Sequence, residues 1–283
     1  MLGGVSRWVT TKNLVSDDLW EAIQPLLPPE PLARHGGPAR IGHRAALAGS
    51  LYVLWHGLRW GDLPQELGYG SGVTCWRRWR QWQARGVWRQ VHQVILNWLG
   101  DLDAIDWSRA SLDSISVRAK RGGERTGPNP TDRGKAGSKY HVLVERQGIP
   151  LAVELSAANV HDSRLLEPLV DAVAPIRRPA GQPGRPRRRP AKLHGDKGYD
   201  YPAKRRALRR RGIAPRIARR GIDARERLGR FRWVVERTQA WLVAFRKLAI
   251  RYDRHAASVL ALLHLACALI CLRFLAHAEA AAH

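Results

Sequence analysis

Residues 191–200 read AKLHGDKGYD, and the fold turns on them. AKLHGD has the length of a short buried strand, and the glycine at 198 stops it. The strand ends on an acid, Asp196, with RRPAGQPGRPRRRPAK before it and KRRALRRRGIAPRIARR after it. A carboxylate there either pairs with a neighbouring arginine or works with further carboxylates brought to it by the fold.

Reading outward from this strand gives a regular alternation. Upstream, SRLLEPLVDAVA (163–174) is helical with Ser163 or Asp162 as its cap, and the Pro/Arg/Gly stretch 175–190 has no apolar period and reads as a mobile basic loop. Further back, ASLDSISVRA (110–119) alternates Leu112, Ile115 and Val117 with polar residues, and YHVLVER and IPLAVELS form a hairpin around a QG turn. Downstream lie a basic helix ended by Gly212 and a strong helix, RFRWVVERTQAWLVAFRKL. Val234, Trp241, Phe245 and Leu248 share one face of that helix, and Glu236 falls off it. Strand, strand, strand, helix, strand, helix predicts an α/β domain on a mixed sheet over 107–283.

Residues 1–106 have a different texture. SDDLWEAIQPLLP offers Ser16 as an N-cap, and Leu47, Leu51, Leu54 and Leu58 form the stripe of a second helix. GDLPQELGYGSG then supplies Asp62 as a cap, a short helix and a turn. A third helix, VTCWRRWRQWQARG, carries Trp76, Trp79 and Trp82 with Arg77, Arg78 and Arg80 between them. Helix, short helix, tight turn and basic helix is the order of a helix-turn-helix unit, in which those arginines meet DNA. An ordinary bundle with a tryptophan core and solvated arginines reads equally well from the pattern alone. Val87, Val91, Val94 and Trp98 belong to a fourth helix that completes the bundle.

Composition narrows the partner. The formal net charge is +24, and residues 175–254 hold 26 Lys plus Arg against 6 Asp plus Glu. Such a surface suits a polyanion, nucleic acid first, and fits a membrane surface less well because the bases are threaded through motifs. Three cysteines make no disulfide framework and suit a reducing compartment. The first 13 residues lack the apolar core of a signal peptide. The apolar run 256–272, broken by His264, reads as a buried C-terminal helix rather than a membrane span, with His264, Cys267 and Cys271 as packing residues rather than ligands.

Three acids stand out by position: Asp113 within the first strand, Asp196 at the end of the fourth, and Glu236 on the long helix. Two carboxylates about 4 Å apart repel by roughly 4 kcal/mol at an effective dielectric near 20, so a cluster either takes up protons or binds a cation. All-oxygen ligation suits Mg²⁺ or Mn²⁺. Position alone leaves these three as one choice among 24 acids.

At these residues the sequence resembles the DDE transposases of IS5-type (IS4/IS5-like) bacterial insertion sequences. The likeness is carried by SLDSISVRA, by GGERTGPNPTDRGKAGSKYHVLVERQGIPLAVELSAANVHDSRLLEPLVDAV, by LHGDKGYD and by LGRFRWVVERTQAWLVAFRKLAIRYDR. The resemblance implies an RNase H-like core preceded by a helical DNA-binding domain. It implies that Asp113, Asp196 and Glu236 hold Mg²⁺, with Mn²⁺ as a substitute. Arg232 and Arg237 would then lie near the scissile phosphate of double-stranded DNA. Lys139, with His141, Asn159, His161 and Tyr199, lies in matching blocks. The group's tyrosine before the Glu and lysine after it are replaced here by Gly229 and Val243, with Arg246 or Lys247 as candidate substitutes. The expected reaction is cleavage at inverted repeats and joining of 3′-hydroxyls to target DNA, by a bacterial cytoplasmic protein at least dimeric when two ends are paired.

Overall fold

A computed structural model describes residues 14–30, 40–179, 181–219, 221 and 229–282. The reading of the first 13 residues lies outside the described residues. Four helices come first: α1 (Asp17–Ile23), α2 (His43–His56), α3 (Gly72–Ala84) and α4 (Val87–Asp101). Ser16 caps α1, its hydroxyl accepting from the Leu19 amide. The region around Asp62 forms two 3₁₀ turns rather than a capped helix. Gly72 opens α3 hard against the first of these turns, where a Cβ would stand 1.5 Å from the Trp60 carbonyl. Trp79 and Trp82 are buried and pack on Trp88, with the Trp79 and Trp88 rings stacked at 4.0 Å.

The sheet follows. Its strands are β1 (Ala110–Ala119), β2 (Gly127–Pro128), β3 (Ala136–Glu145) and β4 (Pro150–Ala157), then β5 (Lys192–Gly195), β6 (Ala214–Ile217) and β7 (Ile250–Arg251). The main order is β4–β3–β1–β5–β6, with β3 antiparallel to both neighbours and β5 and β6 parallel to β1. This is the RNase H-like arrangement expected from the sequence. Short β2 continues beyond β3, and β7 pairs with the end of β1.

Helices α5 (Leu166–Ala172) and α6 (Pro202–Arg210) are the crossovers that flank β5, and α7 (Gly229–Ala244) lies against β1 and β3. The short approach to α5 is capped by the His161 ring, which accepts from the Ser163 amide; neither Asp162 nor Ser163 is the cap. The basic segment 175–190 is tied back on itself by an antiparallel bridge between Ile176 and Arg187. α8 (Arg246–Ala249) leads into β7, and α9 (Ala256–Ala282) closes the chain. Among the described residues, α9 is the helix long and apolar enough to cross a membrane, yet 61% of its most apolar window is buried. It packs on α4 and β4, and Cys267 and Cys271 are fully covered there. One continuous apolar interior runs from the helices into the sheet.

The β3–β4 hairpin places an acid where water cannot reach it. Glu145 is 0% exposed, and its Oε1 accepts from the Gln147 and Ile149 amides while Oε2 has no partner. Gly148 turns the chain at φ +103°. Burial, opposed by those backbone amides, pushes the Glu145 carboxyl up from 4.5 to about 7. A carboxyl raised in the folded state stabilises the fold fully below its unfolded value, and that contribution is lost as pH climbs through about 7. The gap is worth on the order of 3 kcal/mol. Glu145→Gln keeps the acceptor for the turn amides and removes the charge. Its melting temperature should match the parent at pH 5 and exceed it at pH 8; equal melting at both would refute the assignment.

Candidate active site

The parallel register of β1 and β5 sets Ala110 beside Leu193 and Ser111 beside His194. Carried two residues further, it brings Asp113 level with Asp196. Alternation along each strand points both side chains to one face, since Leu112 and Leu193 are buried on the other. Asp113 Oδ1 accepts from the Ser114 amide at 2.8 Å, and Asp196 Oδ1 from the Gly198 amide at 2.9 Å. That second bond uses the glycine found in the motif, whose Cβ would stand 2.9 Å from the Asp196 carboxylate.

The third element is α7. Arg232 Nη2 lies 2.9 Å from Asp113 Oδ2 and 3.9 Å from Glu236 Oε1, one helical turn away. Arg232 therefore stands between the strand acid and the helix acid, and the Glu236 side chain is more than half exposed. Among the described residues no group of three His, Cys, Asp or Glu side chains stands close enough to hold a metal ion. The structure brings Asp113 and Asp196 together, and connects Glu236 to them through the guanidinium.

The electrostatics agree with this picture. Burial raises the Asp113 carboxyl above its ordinary value; Arg232 opposes the rise and Asp196 adds to it. Burial alone would lower Arg232, but Asp113, Asp196 and Glu236 together raise it. Tyr199 is 1% exposed and packs beside Gly195, so the Tyr in GYD fills the end of β5. Burial, then Asp113, Asp162 and Asp196, lift its phenol well above the usual range. Its hydroxyl is buried without a hydrogen-bond partner.

The remaining sequence candidates separate clearly. Arg77 and Arg80 are exposed on α3, with the Arg80 guanidinium 5.2 Å from the Trp76 ring. Arg78 turns inward instead. It is 8% exposed and is bound to His43 Nδ1 and the Ile41 carbonyl, so it anchors α3 and is withdrawn from a DNA contact. Arg237 lies between the Trp233 and Trp241 rings at 4.7 Å from each and donates to the Gln147 carbonyl. At five residues from Arg232 it points about 140° round the helix, toward the hairpin turn and away from the carboxylates. Lys139 is held by the Val160 carbonyl at 3.0 Å and by Asp162 at 2.8 Å. His141 is buried against Ser156 Oγ, and burial lowers it to about 4. Asn159 is an exposed turn residue packed over Gly127. Lys247 is no substitute for the missing family lysine, because it is buried and donates to the Leu58 carbonyl; Arg246 is exposed. Asp162, read from sequence as a possible cap, is instead the partner of Lys139.

Comparison with known proteins covers most of the chain. Residues 106–271 match the family model "Transposase DDE domain", and residues 15–92 match "Putative transposase of IS4/5 family". The chain is 50% identical over 158 residues to the "Putative transposase for insertion sequence element IS402" of Burkholderia cepacia, spanning 56% of this chain and 74% of that protein. It is 52% identical over 121 residues to the "Insertion element IS402 uncharacterized 16.2 kDa protein" of the same organism, covering 42% of this chain and 82% of that one. Among solved structures, a "Mos1 transposase paired-end complex with left transposon end" aligns with a TM-score of 0.26 and 13% identity, over 85% of this chain and 82% of that one. A "pre-cleavage Mos1 transpososome" aligns with a TM-score of 0.29 and 13% identity, over 86% and 81%.

Proposed function

Because the chain belongs to the DDE transposases of IS4/IS5-type insertion sequences, we propose that it binds the terminal inverted repeats of its own element, cuts DNA at the ends and joins the freed 3′-hydroxyls to target DNA. The observation that carries this reading is the pair Asp113, within β1, and Asp196, just past the end of the adjacent parallel β5, with Arg232 bound across to Asp113.

A divalent cation fits the residues present. Two like-charged carboxylates, one of them raised by burial, stand beside a buried hydroxyl that lacks a partner, and the donors are hard oxygens. Asp113 and Asp196 would hold Mg²⁺, or Mn²⁺ in its place; Glu236, joined to the pair here through Arg232, would complete the set by turning its side chain inward. Bound there, such an ion supplies charge neutralisation at a phosphodiester oxygen and acidifies an attacking water or hydroxyl.

The protein's own groups do the positioning. Arg232 presents a guanidinium already desolvated on one side, so a phosphate entering between Asp113 and Glu236 meets a fixed positive charge. Tyr199 keeps water out of the end of β5, its ring buried beside Gly195. Arg77 and Arg80 supply an exposed basic edge on α3 for the duplex outside the site. Pairing two ends calls for at least two copies, and three buried thiols suit the bacterial cytoplasm.

The test is a cleavage assay on a duplex bearing the element's end, with Mg²⁺ or Mn²⁺ added. Nicks at the element boundary that leave a 3′-hydroxyl are the expected products, and no excess over a scrambled duplex would refute the reading. In the same system, Arg77→Ala combined with Arg80→Ala should weaken end binding about tenfold or more at physiological salt, with a shallower salt dependence. Unchanged affinity would remove α3 from the DNA interface.

A further inference from the structure

A second charged feature lies on the same face of the sheet as the two aspartates. Arg109, Ser111 and Asp113 share one face of β1 and its approach, and Lys192, His194 and Asp196 share that face of β5. The parallel register places Arg216 of β6 beside His194. Arg146, just past the end of β3, stands in the same row as Arg109, because Glu145 pairs with Ala110. Arg109, Arg146, Lys192, His194 and Arg216, with Ser108, line a cavity of about 460 Å³.

Among the described residues, no acidic side chain lines this cavity. Arg146 is paired at its rim with Asp106 at 2.9 Å. Burial first, then Arg146, lower Arg109, while Asp106 and Glu145 oppose them. Lys192 and Arg216 are exposed, so the cavity opens to solvent on their side. Gathering these cations works against folding through mutual repulsion, and that cost is relieved when an anion sits among them.

Position identifies the anion. Strand rise puts the His194–Arg216 row about 7 Å below Asp196 and the Arg109–Lys192 row about 13 Å below it. The cavity is thus an extension of the proposed catalytic face. We infer that this cavity is a second phosphate site, which takes a backbone phosphate of the same DNA strand whose neighbouring phosphate lies at Asp113 and Asp196. The inference rests on the transposase reading of that face and adds to it a fixed direction for the strand: along β5, from Asp196 toward Lys192. Contacts to phosphate fix the register of the DNA and carry no sequence information.

Lys192→Gln combined with Arg216→Gln tests this, since both side chains are exposed and an unchanged melting temperature verifies the fold. Affinity for an end-bearing duplex and for a scrambled duplex is measured across a salt series, alongside cleavage at saturating DNA. Both affinities should fall by the same factor, and the slope of log K against log salt should become shallower by about 0.9, the value of one released phosphate contact. A control, Arg209→Gln with Arg210→Gln, removes two exposed cations of α6 that do not line the cavity, and should change the slope by much less. An unchanged slope, or an equal change in the control, overturns the inference. Titration with inorganic phosphate by calorimetry separates the sources: phosphate binding lost in the variant while the DNA slope stays unchanged would mark a free-anion site and also overturn it. A wild-type protein that does not cut end DNA, yet shows the slope change, would remove the transposase reading and leave the phosphate site standing.

Discussion

Asp196→Asn is expected to lower strand cleavage by about 10³-fold or more, a loss of several kcal/mol of transition-state stabilisation, while end binding stays within about twofold. The substitution is close to isosteric. Asparagine Oδ1 keeps the acceptor for the Gly198 amide, so the turn that carries Tyr199 has no reason to move. What disappears is one of two charges that stand level on adjacent strands. Its removal relieves the repulsion that helps raise Asp113, and Arg232 then neutralises the remaining acid alone. A site so neutralised has little left with which to collect a divalent cation. DNA affinity is spared because the lost charge is negative and its ligand is a polyanion. Single-turnover cleavage and equilibrium binding on the same duplex decide the matter; cleavage at the parental rate would remove Asp196 from the chemistry.

The parts of this site legible in the sequence were those carried by period and motif. Alternation in ASLDSISVRA and the short run AKLHGD located two strands. The order of elements allows them to be neighbours in one sheet, as they are, but it was the family resemblance that singled out Asp113 and Asp196 among 24 acids. Glu236 was marked by its absence from the apolar stripe of α7, and it is exposed there. Direction around a helix was harder to read. Arg77, Arg78 and Arg80 look alike in sequence, yet 100° per residue sends Arg78 into the core against His43. Arg237 was lost for the same reason: a tryptophan on either side along the helix captures its guanidinium. Lys247 follows the break at Phe245, where the period of α7 no longer applies, and it turns inward to Leu58. The cationic cavity escaped notice because its members come from four separate segments. Only the pairing of β1, β5 and β6 places Arg109, Lys192 and Arg216 together. Charge runs flag a polyanion partner, but a specific pocket needs the register.

Arg251→Ala should cost about 3–5 kcal/mol of stability, the largest loss expected from a single side chain outside the apolar core. Arg251 lies in two-residue β7 and is 2% exposed. Its guanidinium donates to four acceptors: the Asp253 carbonyl at 2.8 Å, Ser138 Oγ at 2.6 Å, the Arg254 carbonyl at 3.1 Å and the Arg125 carbonyl at 3.2 Å. These belong to the loop after β1, the start of β3 and the approach to α9. The same junction is stitched by the Lys120 amide to the Arg251 carbonyl and by Glu124, whose carboxylate accepts from the Ala256 amide. Removing the guanidinium takes the donor from Ser138 Oγ and from the Asp253 carbonyl, while the Arg125 carbonyl keeps the Ser138 hydroxyl and the Arg254 carbonyl keeps the Glu124 amide. Lysine, a single-point donor, reaches at most part of the set, so Arg251→Lys should recover little of the loss. Urea unfolding provides the measurement, with Arg118→Ala as the contrast, since that arginine's pair with Asp132 is at the surface and its removal should shift the midpoint far less. An Arg251→Ala midpoint as near the parent as that of Arg118→Ala would show that β7 and the loop after β1 are held by packing alone. A large loss confined to Arg251 would show that a buried charge, satisfied on every side, is what fastens the exit of α7 and the start of α9 to the far end of the sheet.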